Sequence, residues 1–226
     1  MRKLIAFLVL LLVLVAVLDR VAVTGVQREI ARQATAKYDL SAPPEVTIAG
    51  IPFLTQAIAG RYERVDVAAG AMTISGVALS SVDFTLHGVT ARLEDLVMRP
   101  QQVDMRAERV EGAVVVPVRA LNQRAPRGVK VSVAGDALLI KGEITVLGQQ
   151  VPAEATMKVE IVQGGLQLLA EKVTLGGGIA VPDPNRFLNY RIPLGKLPYN
   201  LKLTDVRVVP GGLRISGTAS DVPLRG

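Results

Sequence analysis

The chain has 226 residues, enough for one large β domain or two small ones, and at 50% hydrophobic and 20% charged it is not globally disordered. It has no Cys and no Trp, and aromatics make up 4%. Disulfides and thiolate chemistry are excluded, and the core must be built from Val, Leu, Ile and Ala. The net charge of +6 falls to +4 when residues 1–24 are set aside, with 23 basic and 19 acidic residues left; this mild excess favours anionic lipid surfaces, whereas scattered Arg and scarce stacking aromatics argue against nucleic acid.

Met1-Arg2-Lys3 precedes an unbroken apolar run of 15 residues, Leu4 to Leu18. A basic start followed by such a run is the mark of a secretory signal, and it is shorter than the roughly 20 residues of a spanning helix. Asp19-Arg20 is followed at once by Val21-Ala22-Val23, and Val23-Thr24-Gly25 is only a weak cleavage site. Residues 1–24 are therefore expected to be a signal peptide or a retained signal anchor, with residues 25–226 as the exported domain. Either reading puts that domain on the outer, periplasmic side of the plasma membrane, because the positive end stays inside.

Between residues 20 and 38, Val23, Val26, Ile30, Ala34 and Tyr38 recur at three- and four-residue steps, which predicts a helix with one apolar stripe suited to packing along a sheet. Pro43-Pro44 ends it. From Glu45 onward the spacing changes to alternation. Val82, Phe84 and Leu86 share one face of Ser81–His87, and similar runs cover Val129–Val133, Leu138–Val146, Met157–Ile161, Tyr199–Leu203 and Leu213–Ile215. Such runs are strands with one face buried and one wet, as in antiparallel sheets. Gly135-Asp136, Gly164-Gly165 and Pro210-Gly211-Gly212 are hairpin turns. Pro52–Ala59, ending at Gly60, and Val118–Arg124 are the two other stretches that can be helical. The stretch Gly176–Pro184 reads as a long loop.

Catalytic signatures are missing. His87 is the one histidine; it shares the polar face of its strand with Asp83, and no nucleophile is paired with it. No metalloprotease, nucleophile-elbow, Walker or dinucleotide pattern occurs, and no metal or cofactor is expected. The unusual feature is Gly50-Ile51-Pro52-Phe53-Leu54-Thr55-Gln56-Ala57-Ile58, an apolar connection where a polar one is the rule. It is either a plug closing the end of the core or a rim that meets membrane or acyl chains.

Taken in order, the leader running into Asp19-Arg20-Val21-Ala22, the segment Gly50–Thr55, the strand Val82–Leu86 with Gly88-Val89, the stretch Ile192–Leu203 and the closing Asp221-Val222-Pro223-Leu224 resemble the LmeA family of phospholipid-binding proteins of the actinobacterial cell envelope. The resemblance implies an α+β, mainly β fold in which a curved antiparallel sheet wraps one long N-terminal helix, as in tubular lipid-binding proteins. It implies binding of phospholipid, including anionic phosphoinositide-type lipid, in an apolar slot between sheet and helix, and a part in envelope lipoglycan assembly as a carrier or presenter, with envelope biosynthetic enzymes as further partners. The other reading is an envelope enzyme acting on a lipid-linked glycan. For the binding reading, Val26, Ile30, Ile51, Phe53, Leu54, Ile58 and Phe84 are expected against the acyl chain. Arg61, Arg64, Arg186 and Arg191 are expected at the phosphate, and Leu4 to Leu18 in the membrane.

Overall fold

The computed structural model of the chain describes residues 2–38, 40, 42–74, 76–91, 105–146, 149–162, 165–176, 178–184, 189–193 and 198–224. Its elements in chain order are α1 (Arg2–Tyr38), β1 (Glu45–Ala49), α2 (Phe53–Ala59), β2 (Arg61–Ala69), β3 (Met72–Ile74), β4 (Val77–Leu79), β5 (Ser81–Thr90) and β6 (Arg106–Pro117). Then come α3 (Val118–Arg124), β7 (Lys130–Ala134), β8 (Ala137–Val146), β9 (Gln149–Val162), β10 (Gly165–Leu175), β11 (Ile179–Ala180), β12 (Asn189–Pro193), a 3-10 turn (Pro198–Asn200), β13 (Lys202–Val209) and β14 (Gly212–Pro223). The fold class is α+β, mainly β, with one long N-terminal helix and unclosed antiparallel sheets.

Contacts divide the chain into two units: residues 1–70, 83–112 and 219–226, and residues 71–82 and 113–218. In the first unit the strand order is β1-β2-β5-β6 followed by the end of β14, residues 219–223. Val46 and Ile48 of β1 register with Val67 and Val65 of β2, which puts these side chains on one face. They form a core with Val23, Phe53, Ala57, Tyr62, Leu86 and Val89. Along β5 the buried positions pass from even (Val82, Leu86) to odd (Val89). The change falls at Gly88, whose φ of +60° is the left-handed geometry that lets a strand slip by one residue.

Helix α1 is one continuous rod of 37 residues, roughly 55 Å long, where a leader and a separate helix from residue 20 were expected. Asp19-Arg20 does not interrupt it, since neither residue breaks a helix. Only Asp19 and Val23 are buried on it, and Ala22 and Ala31 also pack against the core. Of the expected stripe, Val23 is the residue that is buried. Val26 and Ile30 are each 39% exposed and Tyr38 is 56% exposed.

The second unit holds the sheet β11-β10-β9-β8-β7, with β12 also paired to β10, and the β13–β14 hairpin. β7 is an edge strand, and Asn122 of α3 covers part of its edge. Its amide donates to the Val131 carbonyl (2.7 Å) and its Oδ1 accepts from the Val131 N–H (2.8 Å), so the side chain substitutes for a neighbouring strand. Two expectations change here. The stretch 176–184 is not a plain loop, because Ile179-Ala180 turns back and pairs with Thr174-Leu175; Gly178, at φ +84°, makes the tight return possible. Tyr199 and Asn200 have φ of 54° and 52°, which a strand does not admit, so β13 starts at Lys202.

Candidate functional site

Two features of the fold offer chemistry suited to a membrane lipid. The first joins α1 to α2 within the first unit. The first N–H groups of a helix lack intrahelical partners, and α2 follows Pro52 with no capping side chain of its own. Asp19 supplies the cap from 35 residues away. The Leu54 N–H donates to its Oδ1 at 2.7 Å, while Arg20 donates from Nε (3.1 Å) and from Nη2 to Oδ2. Asp19 is 2% exposed. The Arg20 hydrogen bond is the main cause that holds its carboxyl below the ordinary value; desolvation opposes it, and the Leu54 and Phe53 N–H groups act with Arg20.

Replacing Asp19 with alanine is expected to lower the melting temperature of the full chain by about 3–5 °C at neutral pH, as loss of a helix cap does. Because the folded carboxyl is more acidic than the unfolded one, its contribution is complete above the unfolded pKa. It is lost as pH falls through the lower folded value. Melting curves of wild type and variant should therefore converge on acidification below about pH 4; a gap that stays constant would show that the charge plays no part.

The expected acyl-contact residues fall into distinct settings. Phe53 is 3% exposed, its ring 6.0 Å from that of Tyr62, and Leu54 packs half-buried on the same core. Ile51 and Ile58, from the same connection, are 83% and 80% exposed. The segment thus points two ways, one pair inward and one pair outward. Phe84 packs on the core and also lines a shallow depression of about 290 Å³ whose other walls include Glu45, Asp66 and Asp83. Carboxylates in those walls repel a phosphate.

Of the expected phosphate ligands, Arg61 is bound to Glu108 (2.6 Å) and Arg64 to Asp66 (3.1 Å). Arg191 is exposed on β12, in register with Gln167 of β10, and Arg186 lies outside the described residues. Leu4 and Leu18 are 70% and 53% exposed, and α1 is long and apolar enough to cross a membrane. His87 sits on β5 with Nε2 3.6 Å from Glu111 Oε1, and that nitrogen is buried without a hydrogen bond. Among the described residues, no group of three His, Asp or Glu side chains is placed to hold a metal ion.

The second feature is the apolar face of the second unit's sheet, which no motif in the sequence marks. Register makes it one surface. Val131 lies opposite Ile140 and Val133 opposite Leu138, Leu138 opposite Met157 and Ile140 opposite Ala155, and Val159 opposite Leu168. The reverse face carries Lys141–Glu154 and Lys158–Glu171 ion pairs, 2.9 and 2.7 Å. On the apolar face Val131, Leu138, Met157, Ala170 and Val173 are buried, whereas Val133, Ile140, Ala155, Val159, Leu168 and Leu175 are only half-buried. Leu121, Ala125, Val181 and Val208 cover part of it. The signal for this surface was present as strand alternation; which face stays partly bare depends on what packs over it.

A family model described as LmeA-like phospholipid-binding matches residues 17–218. The chain belongs to the LmeA-like family. No curated protein and no solved structure matches it. The LmeA-like match takes in Asp19, Arg20, Val23, α2 and the whole of the apolar row in the second unit.

Proposed function

We propose that this LmeA-like chain binds anionic, phosphoinositide-type phospholipid by laying acyl chains on the half-buried aliphatic row of β8–β10, and that it carries or presents the lipid for envelope assembly. The observation that carries this reading is the row itself. Val159 and Leu168 face each other, and Ile140 and Leu175 lie further along the same sheet face, all half-buried; each methylene placed against such a surface contributes roughly 0.8 kcal/mol. Arg191 registers with Gln167 and so lies on the sheet face opposite to that of Val159 and Leu168; it is not assigned to the phosphate. Arg61 and Arg64 already hold carboxylates.

The chain acts from the membrane as a retained signal anchor, held by residues 4–18, with the folded units on the outer side. Retention is supported by Asp19 and Val23, which are part of the first unit's core; cleavage after Val23 or Thr24 would remove both and leave α2 uncapped. Binding, not catalysis, is the activity, in keeping with the family.

The test uses full-length protein in nanodiscs containing a trace of phosphatidylinositol with a photoactivatable acyl chain. After irradiation, adducts are mapped by peptide mass spectrometry, with phosphatidylcholine as the competitor. Adducts in residues 137–175, displaced poorly by phosphatidylcholine, are the expected result; adducts confined to residues 2–18 would leave the chain as an anchored protein without a lipid site.

A further inference from the structure

The apolar run Leu4–Leu18 holds 15 residues, about 22 Å of helix, against a hydrocarbon core of roughly 30 Å. A span that short thins the bilayer or draws the flanking protein into it. What flanks it is known from one bond: Asp19, the residue after Leu18, caps α2 through the Leu54 N–H at 2.7 Å. The neighbourhood of α2 is therefore level with the end of the apolar run.

At that level the surface is apolar. Ile51 and Ile58 are 83% and 80% exposed, while Phe53 and Ala57 of the same segment face the core. Arg20, its side chain 48% exposed and its guanidinium held on buried Asp19, keeps a cation at the same depth. Two large isoleucines left bare at the foot of a membrane helix, next to a cation, fit the headgroup–acyl boundary.

We propose that the α2 edge formed by Ile51 and Ile58 is a membrane-seating surface, inserted in the interface of the outer leaflet and held at fixed depth by the Asp19 cap. This rests on the anchored reading above and adds to it a second point of contact, which sets how the first unit is oriented on the bilayer. A single helix allows a domain to swing freely; a helix and an inserted edge joined by a rigid bond do not.

The chain contains no Trp, so single tryptophans report cleanly. Ile51→Trp, Ile58→Trp, Leu12→Trp and Ala68→Trp are made separately in the full chain, and each is reconstituted in phosphatidylcholine–phosphatidylglycerol vesicles with bromine on the acyl chains near the headgroup or near the chain end. All four positions are exposed, so none of the changes disturbs the core. Ile51→Trp and Ile58→Trp should each lose about half their emission to the shallow bromines, consistent with insertion by roughly 5–10 Å. Leu12→Trp should respond to the deep bromines and Ala68→Trp to neither. Quenching of Leu12→Trp without quenching of Ile51→Trp and Ile58→Trp overturns the seating surface and leaves the anchor standing, as when a second copy of the chain covers the patch. No quenching at Leu12→Trp overturns the anchor and the seating surface together.

Discussion

Phe53→Ala is expected to destabilise the first unit by about 3–5 kcal/mol, the cost of removing a buried phenyl ring from a packed core. The ring is 3% exposed, stacks at 6.0 Å on Tyr62 and belongs to the cluster that includes Val23, Val46, Ile48 and Leu86. Its loss leaves a cavity where α1, α2 and the sheet meet, and small aliphatic neighbours are poorly shaped to fill it. Hydrogen exchange of the full chain reads the effect by region. Amides of β1, β2 and α2 should exchange about a hundred-fold faster or more, while those of β8–β10 keep their protection. If exchange is unchanged and lipid capture falls instead, Phe53 is an acyl contact and the plugging role is wrong.

The second large effect concerns the apolar row of the second unit. Val159→Thr together with Leu168→Gln replaces two facing residues with polar ones of similar shape. About 2 kcal/mol of apolar contact with an acyl chain is removed, equivalent to roughly thirty-fold in affinity. Threonine keeps the β-branch that suits a strand, and both positions are half-buried, so the sheet should survive, as far-ultraviolet circular dichroism would show. The readout is photoadduct yield from phosphatidylinositol, with Gln167→Leu on the opposite face as a control that leaves the yield unchanged. Equal yields from the double variant and wild type would remove the row from consideration as the lipid surface.

These effects bear on how binding and membrane attachment are divided within the molecule. Asp19, Phe53 and Leu54 tie α1 to a folded unit, so α1 is part of that unit's architecture. The half-buried row belongs to the other unit and depends on none of the same residues. Variants in one should leave the function of the other intact, which makes anchoring and lipid capture separable by experiment.

The pattern of residues by itself was enough for the class of the fold. Alternation in Ser81–His87, Leu138–Val146 and Met157–Ile161 gave strands where strands are found, and Pro52–Ala59 and Val118–Arg124 were read as helices that the structure contains almost to the residue. These are local consequences of side-chain period, proline and glycine, and need no knowledge of distant partners. The order of the elements was also enough to suggest the family. What the tertiary structure alone decided was which way each apolar side chain points and what covers it. The expected stripe of α1 was used only in part: Val23 is buried, whereas Val26, Ile30 and Tyr38 are exposed. Phe53 and Ile58 look alike as apolar members of one connection, yet one is buried and the other bare. The row on β8–β10 emerged only once register aligned its strands, since exposure depends on the packing of segments far apart in the chain, and no periodicity along the chain encodes that.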